Sequence, residues 1–138
     1  GETVKLVNVY RHDNAASLLY SLLEERESHQ NISHKSMPTF AEHVAFMRSA
    51  PYVAWYFVLT EVGDVGGAVY LTKQDEIGVH LFRGFQKNGI GSATVTEIMR
   101  LHPRRKYVAN VSPQNAASAK MFRKLGFELI QHTFRLEG

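Results

Sequence analysis

Three runs rich in aromatic and β-branched residues, 52–60, 65–71 and 76–82, follow one another with almost nothing between them. Val62-Gly63-Asp64 separates the first two, and Lys73-Gln74-Asp75 separates the next. Connections this short cannot carry the crossover that parallel neighbours need, so the runs are read as an antiparallel meander. Gly66 and Gly67 inside the middle run predict a bulge, or a neighbouring backbone too close to admit a Cβ.

The rest of the chain is arranged around that sheet. Residues 3–9 alternate as a first strand, and Asp13 or Asn14 caps a helix whose Leu18, Leu19, Leu22 and Leu23 form a core stripe. Residues 29–38 read as a loop. Thr39-Phe40-Ala41-Glu42 is a capping box opening a second helix, with Phe40, Val44 and Met47 on one face and a stop near Ala50, before Pro51. After the meander come a helix over 91–101, a strand over 106–111, a helix from Asn115 to Leu125, and a closing strand over 128–136. Gly126 is expected in the left-handed conformation, with Phe127 packed back on Phe122.

Directly after the third strand stands Gln86-Lys87-Asn88-Gly89-Ile90-Gly91, at the start of a helix. Backbone amides gathered there, with the positive end of the helix dipole, suit phosphate oxygens. Glycines let the chain reach positive φ and approach a ligand closely. Lys87 adds attraction for an anion or simply faces solvent.

Composition sets the remaining bounds. With 138 residues, 44% hydrophobic and 21% charged, the chain is expected to be one domain over residues 1–138. No run approaches a membrane span and no secretory signal opens the chain, so a cytoplasmic protein without a membrane partner is expected. The net charge of +3 is mild and unclustered apart from Arg104-Arg105-Lys106, which gives no nucleic-acid stripe. Cysteine is absent, excluding disulfides, thiolate metal sites and cysteine as a covalent nucleophile. His29, His34 and His43 lack a carboxylate pattern to complete a coordination sphere, so no metal is expected.

The order of elements resembles the GNAT acetyltransferase superfamily over nearly the whole chain. Gln86 to Gly91 is similar to that family's Arg/Gln-x-x-Gly-x-Gly/Ala, and Asn115-Ala116-Ala117-Ser118 through Leu125-Gly126-Phe127 is similar to its "N…LGF" helix. The resemblance implies an α/β (α+β) GNAT fold: a central mixed, mostly antiparallel sheet flanked by four helices, with a splayed strand pair holding the CoA arm. It implies acetyl-CoA as co-substrate, the pyrophosphate on Gln86, Lys87, Asn88, Gly89, Ile90 and Gly91, and the pantetheine arm along His80, Leu81 and Phe82. Asn115 would bond the arm from the other side.

The implied chemistry is acylation of a primary amine by direct attack in a ternary complex, with a backbone N–H near Leu81 or Phe82 facing the oxyanion. Glu76, where many relatives carry a Glu, is the first candidate base, and a strand-edge carboxylate is its plain alternative. His80 is the second; alternation puts both on one face of the strand, and a packed histidine is the alternative reading. The tyrosine that protonates the leaving thiolate in many relatives is replaced by Phe122, leaving Tyr107 or water. His34, Arg48, Trp55 and Tyr56 are candidates to meet the acceptor, a small molecule or amino sugar. A protein N-terminus, or no acceptor at all in a non-catalytic acyl-CoA-binding module, are the alternatives. A homodimer is compatible with the sequence.

Overall fold

The computed structural model describes residues 3–30, 37–86, 89–111, 116–131, 134 and 136, with backbone alone for 26–30. Its strands are β1 (Lys5–Asn8), β2 (Ala54–Leu59), β3 (Val65–Leu71), β4 (Glu76–Leu81) and β5 (Val108–Ala109). Its helices are α1 (Ala15–Gln30), α2 (Phe40–Arg48), α3 (Ile90–Leu101) and α4 (Ala116–Lys124). The sheet runs β1-β2-β3-β4-β5, antiparallel as far as β4, while β5 lies parallel to β4 after the crossover through α3. This is a mixed, mostly antiparallel sheet with helices on both faces.

Strand alternation divides the core between those faces. Val58, Val69, Leu71 and Ile77 pack with Ile90, Val95 and Ile98 of α3 and Phe122 of α4. Trp55, Phe57 and Ala68 pack on the other face with Ala15, Leu19 and Leu22 of α1 and Met47 of α2.

The glycine pair in β3 has both expected roles. The β2–β3 register slips between Val58 and Leu59, opposite Gly67 and Val65, leaving Gly66 as the extra residue. A Cβ on Gly67 would stand 2.2 Å from the His80 carbonyl oxygen, so only glycine lets β3 lie this close to the end of β4. The capping box at Thr39 and Glu42 is formed. α4 ends in a Schellman motif: Phe127 N–H donates to Phe122 O (2.9 Å), Gly126 N–H to Arg123 O (3.0 Å), and Gly126 has φ +98°. The rings of Phe122 and Phe127 meet edge-on at 5.0 Å.

Four expectations are corrected. α1 continues through residues 29–30, expected to be loop. The buried residues of α2 are His43 and Met47, while Phe40 is 45% exposed and meets Tyr20 of α1 edge-on at 5.3 Å. The strand expected over 106–111 shortens to two residues. The closing strand does not form over 128–131, where Leu129 and Ile130 are 60% and 78% exposed. A two-residue β5 offers too short an edge to hold it.

Candidate active site

β4 carries the site, and its hydrogen bonds decide which groups face it. Phe82 N–H donates to Gly66 O at 2.8 Å and Thr72 N–H to Glu76 O at 2.9 Å, so even-numbered residues turn their peptide groups toward β3. Odd-numbered residues turn theirs the other way, as Val108 N–H donating to Asp75 O shows. β4 and β5 pair only at Glu76↔Val108 and Ile77↔Ala109, after which Asn110 and Val111 leave the sheet. Among the described residues, nothing pairs with β4 from that side beyond Ile77. The strands are splayed there, with the peptide groups of Val79 and Leu81 along the opening. The Leu81 carbonyl is reached by Gln86 Nε2 at 3.2 Å, which pins the turn to the strand.

The turn delivers the chain into α3 through Gly89, the N-cap, at φ +78° and without a side-chain cap. The amides of the first helical turn have no intrahelical acceptor and stand beside the C-terminal end of β4. A Cβ on Gly89 would touch nothing, so its glycine answers to backbone conformation alone. Gly91 differs: a Cβ there would meet Met121 Sδ at 2.7 Å, so this glycine seats α3 against α4. The Arg83 N–H is held by the Glu25 carboxylate of α1, which ties the turn to the opposite layer.

The other face of the sheet holds a cavity of about 360 Å³ between the strands and α1 and α2. Leu19, Leu22, Leu23, Phe46, Tyr52, Trp55 and Tyr70 make it largely apolar, and Glu42, His43 and His80 bring polar groups to it. Tyr70 and Tyr52 stack at 4.0 Å with 5° between ring planes, and Tyr70 stands 6.0 Å from the His80 ring. The Glu42 carboxyl is held below its usual range by backbone and hydroxyl hydrogen bonds from Thr39. Burial pushes the pKa of His43 down, against a backbone hydrogen bond at Ala16.

A profile of the acetyltransferase (GNAT) domain family matches residues 4–128. The chain belongs to the GNAT acetyltransferase family. No curated protein sequence matches it significantly. Among solved structures, this GNAT domain is similar to a domain from Methanocaldococcus jannaschii (19% identity, TM-score 0.79, covering 96% of this chain and 93% of that one). It is also similar to an acetyltransferase from Thermus thermophilus (15% identity, TM-score 0.69, 94% and 89% covered). A third similar structure is the aminoglycoside N-acetyltransferase AAC(6')-Iy in complex with CoA (16% identity, TM-score 0.69, 100% and 96% covered).

The structure separates several residues that the sequence grouped. Glu76 and His80 share a face, but four residues of extended strand set them about 13 Å apart. His80 lines the cavity; Glu76 stands at the turn, its N–H donating to Thr72 Oγ1 at 3.1 Å. Tyr56 is corrected: adjacent strand residues point oppositely, so Trp55 reaches the cavity while Tyr56 packs on the α3 face with its hydroxyl 2.7 Å from His102 Nε2. Arg48 is exposed at the end of α2 and does not line the cavity. Phe82 N–H is spent on Gly66, which leaves Leu81 and Val79 as the outward amides. Tyr107 donates its hydroxyl to backbone oxygen, with His102 O at 2.6 Å and Met99 O at 3.2 Å, at the far end of α3 from Gly89. Phe122 is buried core. His34, Lys87, Asn88 and Asn115 lie outside the described residues.

Sequence reasoning missed Val79, Tyr52, Tyr70 and the cavity role of Leu23. Strand parity implied the first only once the register was known. Among the described residues no cluster of potential metal ligands occurs, and no helix is long and apolar enough to cross a membrane.

Proposed function

We propose that this GNAT domain moves an acetyl group from acetyl-CoA to the primary amine of a small molecule, by direct attack in a ternary complex. The observation that carries the reading is the position of β4 between two spaces. Its outer edge opens where β5 departs, and its His80 side chain lines the cavity between the sheet and α1 and α2. A strand with an acyl-carrier edge on one side and an acceptor pocket on the other brings both substrates to the same residues.

The residues present fit CoA. The amides at the head of α3, which the Gly89 N-cap has no side chain to occupy, suit the pyrophosphate, and the outward peptide groups of Val79 and Leu81 suit strand-like pairing with the pantetheine arm. Gly89, Ile90 and Gly91, with Lys87, Asn88 and Asn115 in the roles the family resemblance implies, would complete the hold. Acetyl-CoA supplies an acetyl group activated as a thioester.

His80 takes the proton that the acceptor ammonium must lose before its nitrogen can attack. The amide of Leu81 or Val79 donates to the oxygen that becomes negative as the C–N bond forms and the C–S bond breaks. Phe122 offers no proton to the departing sulfur, so CoA leaves as the thiolate and the second proton that the nitrogen sheds as the amide forms passes to solvent. Phe122 is also what favours the second reading, an acyl-CoA-binding module without turnover.

Thiol release from acetyl-CoA, followed with a panel of primary amines, separates the two. Amine-dependent release is expected. Tight CoA binding with no release from any amine establishes the non-catalytic reading instead.

A further inference from the structure

The turn that leads from β4 toward α3 changes layers between Phe82 and Phe85. Phe82 packs against the core on the α1 face of the sheet and Phe85 against the core on the α3 face. Between them Arg83–Phe85 forms one turn of 3₁₀ helix, and Gly84 is so open that a Cβ there would touch nothing. The first amide of such a turn has no acceptor within it. The Arg83 N–H finds one 58 residues away in sequence, in the Glu25 carboxylate of α1. Glu25 follows Leu22 and Leu23 on that helix, and both of these line the cavity. On the sheet side, the Phe85 ring lies against Gly66 and Gln86 Nε2 donates to the Leu81 carbonyl at 3.2 Å. Glu25 thus anchors from the helix layer the segment that runs on to the head of α3.

We infer that Glu25 is a positioning residue for acetyl-CoA, which fixes the turn aiming the α3 amides and joins to it α1, a wall of the acceptor cavity. This rests on the CoA reading above. A turn held in place before the ligand arrives spares CoA the conformational entropy of ordering it. Bound CoA in return steadies Glu25 and the part of α1 that carries it, because coupling between two sites is reciprocal. Glu25 acts through the backbone of Arg83 and takes no part in bond making.

Calorimetry with CoA, hydrogen exchange of α1 with and without CoA, and urea unfolding test this on the wild type, Glu25→Gln and Glu25→Ala. The glutamine variant keeps an oxygen that accepts from the Arg83 N–H, and the alanine variant does not. Glu25→Ala is expected to weaken CoA binding about tenfold, the scale of one charge-assisted hydrogen bond, and Glu25→Gln to recover most of that loss. CoA is expected to slow exchange along α1 in the wild type and the glutamine variant, an effect lost in the alanine variant. If Glu25→Ala does not fold, Arg83→Pro and Arg83→Ala decide. Proline suits the first position of a helical turn, and Phe82 at φ −60°, ψ 150° already has the conformation that a residue before proline takes. Arg83→Pro removes the N–H with the side chain and Arg83→Ala the side chain alone, so the proline variant is expected to bind CoA about tenfold more weakly than its alanine counterpart. No CoA binding by the wild type overturns the CoA reading and this inference together. With CoA bound by the wild type, four results overturn the inference alone: unchanged affinity in Glu25→Ala whatever its stability, an equal loss in Glu25→Gln, equal affinity in the two Arg83 variants, or α1 exchange that CoA leaves unaltered.

Discussion

The ring of Tyr70 lies directly over Gly78 across the β3–β4 pair, so close that a Cβ at position 78 would stand 2.0 Å from Cζ. Gly78 is the seat for a ring that also stacks on Tyr52 and walls the cavity. Gly78→Ala therefore evicts Tyr70. A loss of about 1–3 kcal/mol is expected in denaturant unfolding, with a raised KM for the amine and an unchanged KM for acetyl-CoA.

Gly89 has the opposite cause for its glycine, since φ +78° and not space requires it. Gly89→Ala is expected to lose about 1–2 kcal/mol of stability through backbone strain. Because the strained residue aims the amides of α3, KM for acetyl-CoA should rise while KM for the amine stays fixed, as initial-rate kinetics would show.

At Gly91 the added methyl group meets Met121 Sδ on α4, so packing and ligand effects can be separated there. Gly91→Ala should destabilise by about 1 kcal/mol. Shortening the partner in Gly91→Ala/Met121→Ala should bring coupling of the opposite sign, read by a double-mutant cycle in urea.

His80 and Glu76 make distinguishable predictions about the base. With His80 lining the cavity and Glu76 at the distant turn, His80→Gln is expected to lower kcat about 10²–10⁴-fold and to remove the acidic limb of the pH–rate profile. Glu76→Gln should leave that limb in place. The reverse pattern would transfer the role to Glu76.

Two of the described histidines, His43 and His102, make stability depend on pH. Burial lowers the pKa of His43, and burial followed by the charge of Arg104 lowers that of His102. Between the ordinary histidine value near 6.5 and those lowered values, the unfolded chain binds more protons than the folded one. Stability is therefore full above about pH 6.5 and falls as pH drops toward the folded-state values. Urea midpoints from pH 8 to pH 5 should decline, and His102→Phe should flatten the decline.

Local pattern was enough wherever a feature depends on neighbours in sequence. The Thr39–Glu42 capping box, the Gly126–Phe127 helix end, the three-stranded meander and the glycine turn into α3 all follow from residues within one turn or hairpin. The family was readable for the same reason, because its two motifs are local. The site was only partly legible. That His80 and Glu76 share a face follows from strand period, but their separation along β4 decides that one of them meets the cavity.

The sequence by itself determined the order of elements, the mixed sheet and the glycine at the entry to α3, because short connections and backbone conformational needs are written residue by residue. Tertiary structure alone decided the rest. It set the bonding parity that turns Val79 and Leu81 outward and Phe82 inward, since parity depends on a partner strand's register. It put Trp55 in the cavity and Tyr56 against His102, since which layer covers each face is a long-range outcome. It also buried His43 with its Nε2 unpaired among the described residues, where the packing of α1 against α2 closes water out from an imidazole the sequence could only count.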